Sequence, residues 1–222
     1  MYGVSEMISK KLLRLLRLLI LTALMIMFSS CGDNALKFTN DGNTGNLIDS
    51  ENGRYYIYCK GYLQAAAIKP NIYAKGDHGE KLYEVVGVDP AKWLSEDISS
   101  GIAFLFREQG EEEPKLEEFE TEKINIAQSE DVIVQVGLID DKEEVDKIVN
   151  DFLYNEETPY PEFVTDYFNF YLESEKYSGI CFVLQYLVDE KNNAYLYDRW
   201  TGRCVSCSVK LFGGSGVGVD IE

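Results

Sequence analysis

The sequence predicts an α+β fold: an antiparallel, β-rich single domain at residues 53–222, with one main amphipathic helix packed on a C-terminal β-meander. Three observations support this prediction. The chain has 15 tyrosines and 11 phenylalanines, and aromatic residues favour half-buried strands. The segment 141–154 carries apolar residues at helical spacing. The last strand-like segments are joined by short polar turns, which connect antiparallel strands.

The first half of the domain contains segments of mixed apolar and polar residues that predict strands. These strands are predicted at residues 54–60, 81–88 and 101–107. A short helix is predicted after Pro90, because Asp89 can cap it and helix-forming residues follow.

A strongly acidic segment, residues 109–122, follows these strands. It contains three consecutive glutamates before Pro114. Such a charge run favours a solvent-exposed position. The segment is therefore interpreted either as an exposed hairpin or as a boundary between two lobes of the domain.

The segment 141–154 predicts the main helix. Its apolar residues recur at i, i+3, i+4, i+7 and i+8, which places them on one face. Asp140 or Asp141 supplies an N-cap oxygen, and the glutamates that follow suit the positive end of the helix dipole. The helix is therefore expected to cover one face of a sheet. The apolar stripe consists of Val145, Ile148, Val149, Phe152 and Leu153.

The residues around the helix predict a series of strands. One precedes the helix at 131–139, and four follow the break at Pro159-Tyr160-Pro161. Their connections are too short for parallel crossovers, so an antiparallel meander is expected. The four strands are predicted at 165–172, 179–188, 194–200 and 203–211.

The first 30 residues have the layout of a secretory signal peptide. Four basic residues lie between positions 10 and 17, an uncharged apolar run covers 18–28, and two serines precede Cys31. A membrane span needs about 20 apolar residues, so the short run favours a signal peptide. An uncleaved anchor is the main alternative, because arginines near its end can snorkel to the interface. A cytosolic protein is the third.

The ending Ser29-Ser30-Cys31 resembles the lipobox of bacterial lipoproteins. The resemblance covers residues 1–31 and implies that the chain is cut before Cys31, which then carries the lipid. Two or three acyl chains hold a domain durably at a bilayer. The implied location is the cell membrane or outer membrane, on the extracytoplasmic side. Residues 31–52 are rich in Gly, Asn and Asp, and they are predicted to be a lipidated flexible tether.

The charge of the chain excludes some partners. It has 21 basic and 38 acidic residues, a formal net charge of −17. Removal of residues 1–30 takes away four basic residues and one acidic residue, which leaves −20. This excess argues against nucleic acid and against adhesion to anionic lipid. The predicted partners are the membrane, through the lipid on Cys31, and an envelope protein or polymer.

Four cysteines remain besides Cys31. An extracytoplasmic location permits disulfides, but free buried thiols are an equally open interpretation. Two of them have the C-x-x-C spacing of zinc and redox sites. In a strand, residues three apart point to opposite faces and do not share one metal. No metal site and no cofactor are therefore predicted. The four cysteines are Cys59, Cys181, Cys204 and Cys207.

The sequence provides no catalytic set, so the protein is predicted not to be an enzyme. Its only histidine, His78, lies in a polar turn, which disfavours a hydrolase that needs a histidine base. A carboxylate-based hydrolase does not need histidine. Asp198 is the most unusual acid for that purpose, although pairing with Arg199 or Arg203 at a strand end is the simpler interpretation.

Four tyrosines form a candidate ligand face, namely Tyr167, Tyr171, Tyr195 and Tyr197. Tyrosine offers contact area and a polar tip at low entropy cost. The alternative is that they are core residues and cross-strand pairs. The predicted function is a lipid-anchored extracytoplasmic protein that acts as a binding or interaction module in the cell envelope. Alternatives are a solute- or glycan-binding lipoprotein and a carboxylate-based hydrolase of envelope polymers.

Overall fold

The computed structural model describes most of the chain after its N-terminal segment. The signal peptide predicted at residues 1–30 and the lipid attachment at Cys31 lie outside the described residues. The described residues from Leu36 onward belong to one compact unit. Within the described part, no helix has the length and apolar character needed to cross a membrane. The described residues are 35–42, 45–59, 61–97, 104–128 and 134–211.

The described chain is built mainly of β-strands. The strands, in chain order, are β1 (Leu36–Asn40), β2 (Leu47–Asp49), β3 (Tyr55–Tyr58), β4 (Leu63–Ala65), β5 (Ile68–Gly76), β6 (Lys81–Val85), β7 (Trp93–Ser95), β8 (Leu105–Glu108), β9 (Lys123–Gln128), β10 (Val134–Ile139), β11 (Val164–Glu173), β12 (Ile180–Asp189), β13 (Ala194–Tyr197) and β14 (Cys204–Cys207).

The first half of the chain forms a closed barrel in the order β1-β2-β3-β8-β7-β6-β5. Its closing pair is parallel and sets Leu36 of β1 opposite Ala74 of β5. The interior is filled by buried side chains, among them Phe38 and Tyr56, whose ring centroids are 5.3 Å apart. Small barrels are filled in this way and are not pores.

The second half forms a sheet in the order β10-β9-β11-β12-β13-β14, and β4 also pairs with β12. One α-helix, α1 (Lys142–Tyr154), covers its inner face. Asp141 is the N-cap and accepts a hydrogen bond from the Glu144 backbone N–H. The prediction of a helix at 141–154 is therefore confirmed to within one residue. The C-terminal meander is confirmed by the antiparallel pairing of β11, β12, β13 and β14.

The prediction of an α+β fold is nevertheless wrong. Strands make up 47% of the described residues and helices 10%, and α1 is the only α-helix among them. A closed barrel accompanies the sheet. No local sequence pattern predicts this barrel, because its closure joins segments that are far apart in the chain. The α+β prediction gave too much weight to one clear helix and too little to short strands.

The interpretation of residues 31–52 as a flexible tether is also corrected. Residues 36–40 and 47–49 are barrel strands, and Phe38, Leu47 and Asp49 are buried. Asp49 accepts hydrogen bonds from the Glu51 and Asn52 backbone N–H groups. These polar residues therefore belong to turns between strands. The sequence suggested a tether because Asx turns use the same residue types as flexible linkers.

The short helix predicted after Pro90 is replaced by one turn and strand β7. Asp89 does accept a hydrogen bond from the Ala91 backbone N–H, at 2.9 Å. The turn ends at Trp93, because Trp93 and Leu94 are buried and pair with β8. Barrel pairing overrides the local helix propensity here.

The acidic segment 109–122 connects the last barrel strand, β8, with the first strand of the second sheet, β9. It contains a 3-10 helix at Leu116–Glu118. The next residue, Phe119, is buried and stacks on Tyr177 at 5.3 Å between ring centroids. The segment is therefore a packed connection within one compact unit.

A close approach of two backbone segments also holds the barrel against the sheet. Gly179, immediately before β12, has φ +88°, and a Cβ at this position would lie 1.8 Å from the Val86 carbonyl oxygen. Its own carbonyl accepts a hydrogen bond from the Ala66 backbone N–H. Only glycine fits this contact without displacing the backbone.

We predict that Gly179→Ala destabilises the protein by roughly 3 kcal/mol or more, because it adds a steric clash to an unfavourable φ. Gly79→Ala is the matched control. Gly79 has φ +94° but open space around it, so only the conformational cost of about 1 kcal/mol applies. Denaturant unfolding of both variants measures the difference. Equal unfolding midpoints for the two variants would contradict the close approach.

Candidate functional site

The outer face of the second sheet carries the four tyrosines predicted as a ligand face. Successive strand residues point to opposite faces, and Phe168, Phe170 and Leu172 of β11 pack in the core. Tyr167 and Tyr171 of β11 therefore lie on the outer face. The same alternation places Tyr195 and Tyr197 of β13 outward.

The strand register brings two of these tyrosines to one place. Tyr167 is opposite Leu187 of β12, and the neighbouring β12 residue on this face, Gln185, is opposite Tyr197. Residues in adjacent rows of one face are close enough for aromatic side chains to share a surface. The two tyrosines thus flank Gln185 and Leu187.

These residues line an open groove of about 400 Å³, which we call the tyrosine groove. The rings of Tyr160 and Tyr197 meet edge to face, with centroids 4.9 Å apart. Tyr160 and Tyr167 are 52% and 44% exposed, so both offer ring surface to a ligand. Partial burial, followed by the nearby Tyr197, raises the pKa of Tyr160. The lining residues are Tyr160, Val164, Tyr167, Gln185, Leu187, Tyr197 and Arg199.

The other two predicted tyrosines share the face but do not line the groove. The Tyr195 hydroxyl donates to Asp189 Oδ2 at 3.1 Å and so supports the turn after β12. Tyr171 lies opposite Val183, about 13 Å along β11 from Tyr167 at strand spacing. Tyr160 is not predictable from the sequence, because it lies in the loop between Pro159 and Pro161, where no periodic pattern indicates the direction of its side chain.

A second concave surface lies on the inner side of the sheet, at the last turn of α1. This cleft has a volume of about 500 Å³. Its apolar floor comes from α1 and β12. One wall comes from the acidic segment 109–122 between β8 and β9, which we call the connecting segment. The lining residues are Tyr62, Glu113, Pro114, Lys115, Leu116, Glu117, Phe152, Leu153, Phe182, Leu184, Asp198 and Arg203.

Tyr62 joins the apolar and polar parts of the cleft. Its ring stacks on Phe182, with centroids 5.5 Å apart and planes 4° from parallel. Its hydroxyl donates to Glu113 Oε2 at 3.4 Å. Burial, followed by the negative charge of Glu113, disfavours the phenolate and raises the pKa of Tyr62 to about 12. Tyr62 is therefore a neutral hydrogen-bonding group at physiological pH.

Asp198 lines the cleft, but its carboxylate organises a turn. One oxygen accepts from the Trp200 backbone N–H at 2.9 Å, and the other accepts from Thr201 Oγ1 at 2.6 Å. The turn places the Trp200 indole against Gly61, where an added Cβ would lie 2.0 Å from the ring. Both carboxylate oxygens thus already accept a hydrogen bond, which is unlike a carboxylate kept available for catalysis.

Arg203 caps the C-terminus of α1. Its Nε donates to the Phe152 carbonyl at 3.2 Å, and one terminal nitrogen donates to the Asn155 carbonyl at 3.1 Å. The other terminal nitrogen pairs with Glu157 at 2.9 Å. A cation at the negative end of a helix dipole is stabilising. The guanidinium charge therefore acts mainly at the helix end.

The four cysteines of the described domain are free thiols and are buried. Burial raises the pKa of Cys59 and of Cys207 to about 12 and raises that of Cys181 as well. Cys204 pairs with Tyr197 and Cys207 with Ala194, so the two cysteines of the C-x-x-C motif point to opposite faces. The structure therefore favours the interpretation as buried thiols over that as disulfides.

The only histidine lies apart from both concave surfaces. His78 is in the exposed turn between β5 and β6, and its Nε2 is 3.8 Å from Asp77 Oδ1. Across the described residues, no three His, Cys, Asp or Glu side chains are grouped so that they could hold a metal ion.

The chain matches no protein-family model, no curated protein and no solved structure. The groove and the cleft are therefore interpreted through their own chemistry.

We predict that the four domain thiols react on the order of 100-fold more slowly than free cysteine at pH 8, because burial blocks access and disfavours the thiolate. A Cys31→Ser chain isolates these four thiols. Labelling with a thiol reagent before and after denaturation measures the effect, with four groups labelled only after unfolding. An intact mass that is lower than the mass of the fully reduced chain by two hydrogen atoms would instead indicate a disulfide.

We predict that Asp198→Ala lowers the free energy of unfolding by about 1–3 kcal/mol, because the turn loses two hydrogen bonds to a charged acceptor. Glu190→Ala, which changes an exposed carboxylate in the turn after β12, is the control and should change stability by less than about 0.5 kcal/mol. Chemical denaturation compares the two. Unchanged stability in the Asp198 variant would contradict the structural role.

Proposed function

We propose that this chain is a lipid-anchored extracytoplasmic binding module and that the tyrosine groove is its ligand surface. The signal-peptide layout and the cysteine at position 31 support the location. The single observation that carries the binding function is the exposed groove of about 400 Å³ between Tyr160, Tyr167 and Tyr197.

The groove is suited to binding because it stands on a rigid support. β11, β12 and β13 are fixed by their ladder and by the core beneath them. Tyrosine side chains provide large contact area with few rotatable bonds, so little entropy is lost when a ligand binds. The rings of Tyr160 and Tyr167 are not part of the sheet core and project into solvent.

The groove chemistry favours a glycan as the ligand. The ring faces can pack against the C–H face of a sugar, and the polar groups can bond to its hydroxyls. These polar groups are the phenols, the Gln185 amide and the Arg199 guanidinium, and none of the described carboxylates lines the groove. Such a combination of apolar surface and a few polar groups is typical of ligand sites. A polymer of the cell envelope would lie within reach of an anchored domain.

The proposal is tested by substituting groove tyrosines in the full chain. Tyr167→Ala should weaken binding to envelope glycan by at least about tenfold, because it removes a stacking surface. Tyr167→Phe should retain most of the binding, since the ring remains. Co-sedimentation with purified peptidoglycan and with other envelope polysaccharides measures the affinity.

Tyr154→Ala is the matched control, because Tyr154 is 74% exposed but lies on α1, away from the groove. It should bind as the unchanged chain does. Absence of sedimentation with every polysaccharide would overturn the glycan assignment. An equal loss in the Tyr154 and Tyr167 variants would remove the groove from the binding surface.

A further inference from the structure

We propose that the cleft at the end of α1 is a second binding site and that it accepts an organic cation with an aromatic or branched apolar body. This site is separate from the tyrosine groove, because its floor is the inner face of the sheet. Its volume, about 500 Å³, is that of a small-molecule site.

The floor of the cleft is apolar and fixed in place. Phe182 and Leu184 point inward from β12, and Phe152 closes the floor from α1; all three belong to the main core cluster. Leu153 is half-buried beside them. A ligand must therefore present an apolar body to this surface in order to gain free energy from burial.

The cleft is acidic where its rim meets this floor. Glu113, Glu117 and Asp198 line it together with two basic residues, Lys115 and Arg203. The Arg203 guanidinium bonds to the α1 carbonyls and to Glu157. Lys115 is exposed, so solvent screens its charge. Glu117 is exposed as well and is screened in the same way, so the charges that remain are the half-buried Glu113 and the buried Asp198. In a chain of net charge −17, these two carboxylates favour a cation.

Glu113 is the carboxylate best placed to receive the cation. One of its oxygens accepts a hydrogen bond from the Tyr62 hydroxyl at 3.4 Å, and the other forms a long ion pair with Arg107, 3.5 Å from Nε. Both distances are long for hydrogen bonds, and an ammonium donor would make a shorter, charge-assisted bond. Tyr62 also offers a ring to a cation. The phenol stays neutral, because burial raises its pKa to about 12.

Three probes that share a phenylethyl body and differ in their head group test this proposal: phenethylammonium, phenethyl alcohol and hydrocinnamate. Each is titrated into the full chain, and binding is followed by chemical-shift changes of cleft residues. The ammonium should bind about tenfold more tightly than the alcohol, and the carboxylate should bind more weakly than either. Added salt should weaken only the ammonium, as expected for a charge contact.

Glu113→Gln should remove most of the preference for the ammonium and leave the affinity for the alcohol unchanged. Glu112→Gln is the matched control, because Glu112 is exposed and does not line the cleft. If the Glu113 variant does not fold, the salt dependence of the three probes on the unchanged chain decides the matter. Equal affinities for the three probes, tighter binding of hydrocinnamate, or no binding in the millimolar range would each overturn the proposal.

The proposals for the groove and for the cleft can be tested independently of each other. Tyr167→Ala should leave ammonium binding unchanged, and Glu113→Gln should leave glycan binding unchanged. Chemical-shift changes confined to the tyrosine groove on addition of phenethylammonium would overturn the assignment of this ligand to the cleft.

Discussion

One continuous apolar core supports everything else in the described structure. It includes Val85 and Leu105 from the barrel strands, Ile148 from α1, and Phe170 and Phe182 from the second sheet. The barrel therefore has two apolar surfaces, one filling its interior and one facing this shared core. Burial of the second surface joins barrel, helix and sheet into one unit, since apolar area removed from water is the main favourable term in folding.

Both concave surfaces are consequences of this core. The period of two in a strand means that once Phe168 and Phe170 are buried, Tyr167 must face the other way. The tyrosine groove thus follows from the hydrophobic pattern of the inner face. The cleft arises where α1 ends at Tyr154 and the connecting segment covers the rest of the inner face incompletely. The groove is aromatic with one guanidinium at its edge, and the cleft is apolar with an acidic rim, so the two suit different ligands.

Several conspicuous polar residues have structural roles in the fold. Asp198 shapes the turn that places Trp200 on Gly61, and Arg203 caps α1. The C-x-x-C cysteines are divided between the two faces of β14. Residue type alone made Asp198 and the cysteines candidates for chemistry. The structure assigns their polar atoms to turns and burial, because polar groups removed from water need partners.

The sequence by itself determined local elements, namely the helix α1 with an aspartate as its N-cap and the antiparallel meander. Each depends on the spacing of apolar residues within a short segment. Only the tertiary structure decided the barrel, because its parallel closing pair joins residues 36–38 to residues 74–76. It also decided that Tyr160 joins Tyr167 and Tyr197 in the groove, and that Tyr62 and Glu113 meet Phe182 in the cleft. These contacts link segments far apart in the chain, and periodicity within one segment carries no information about them.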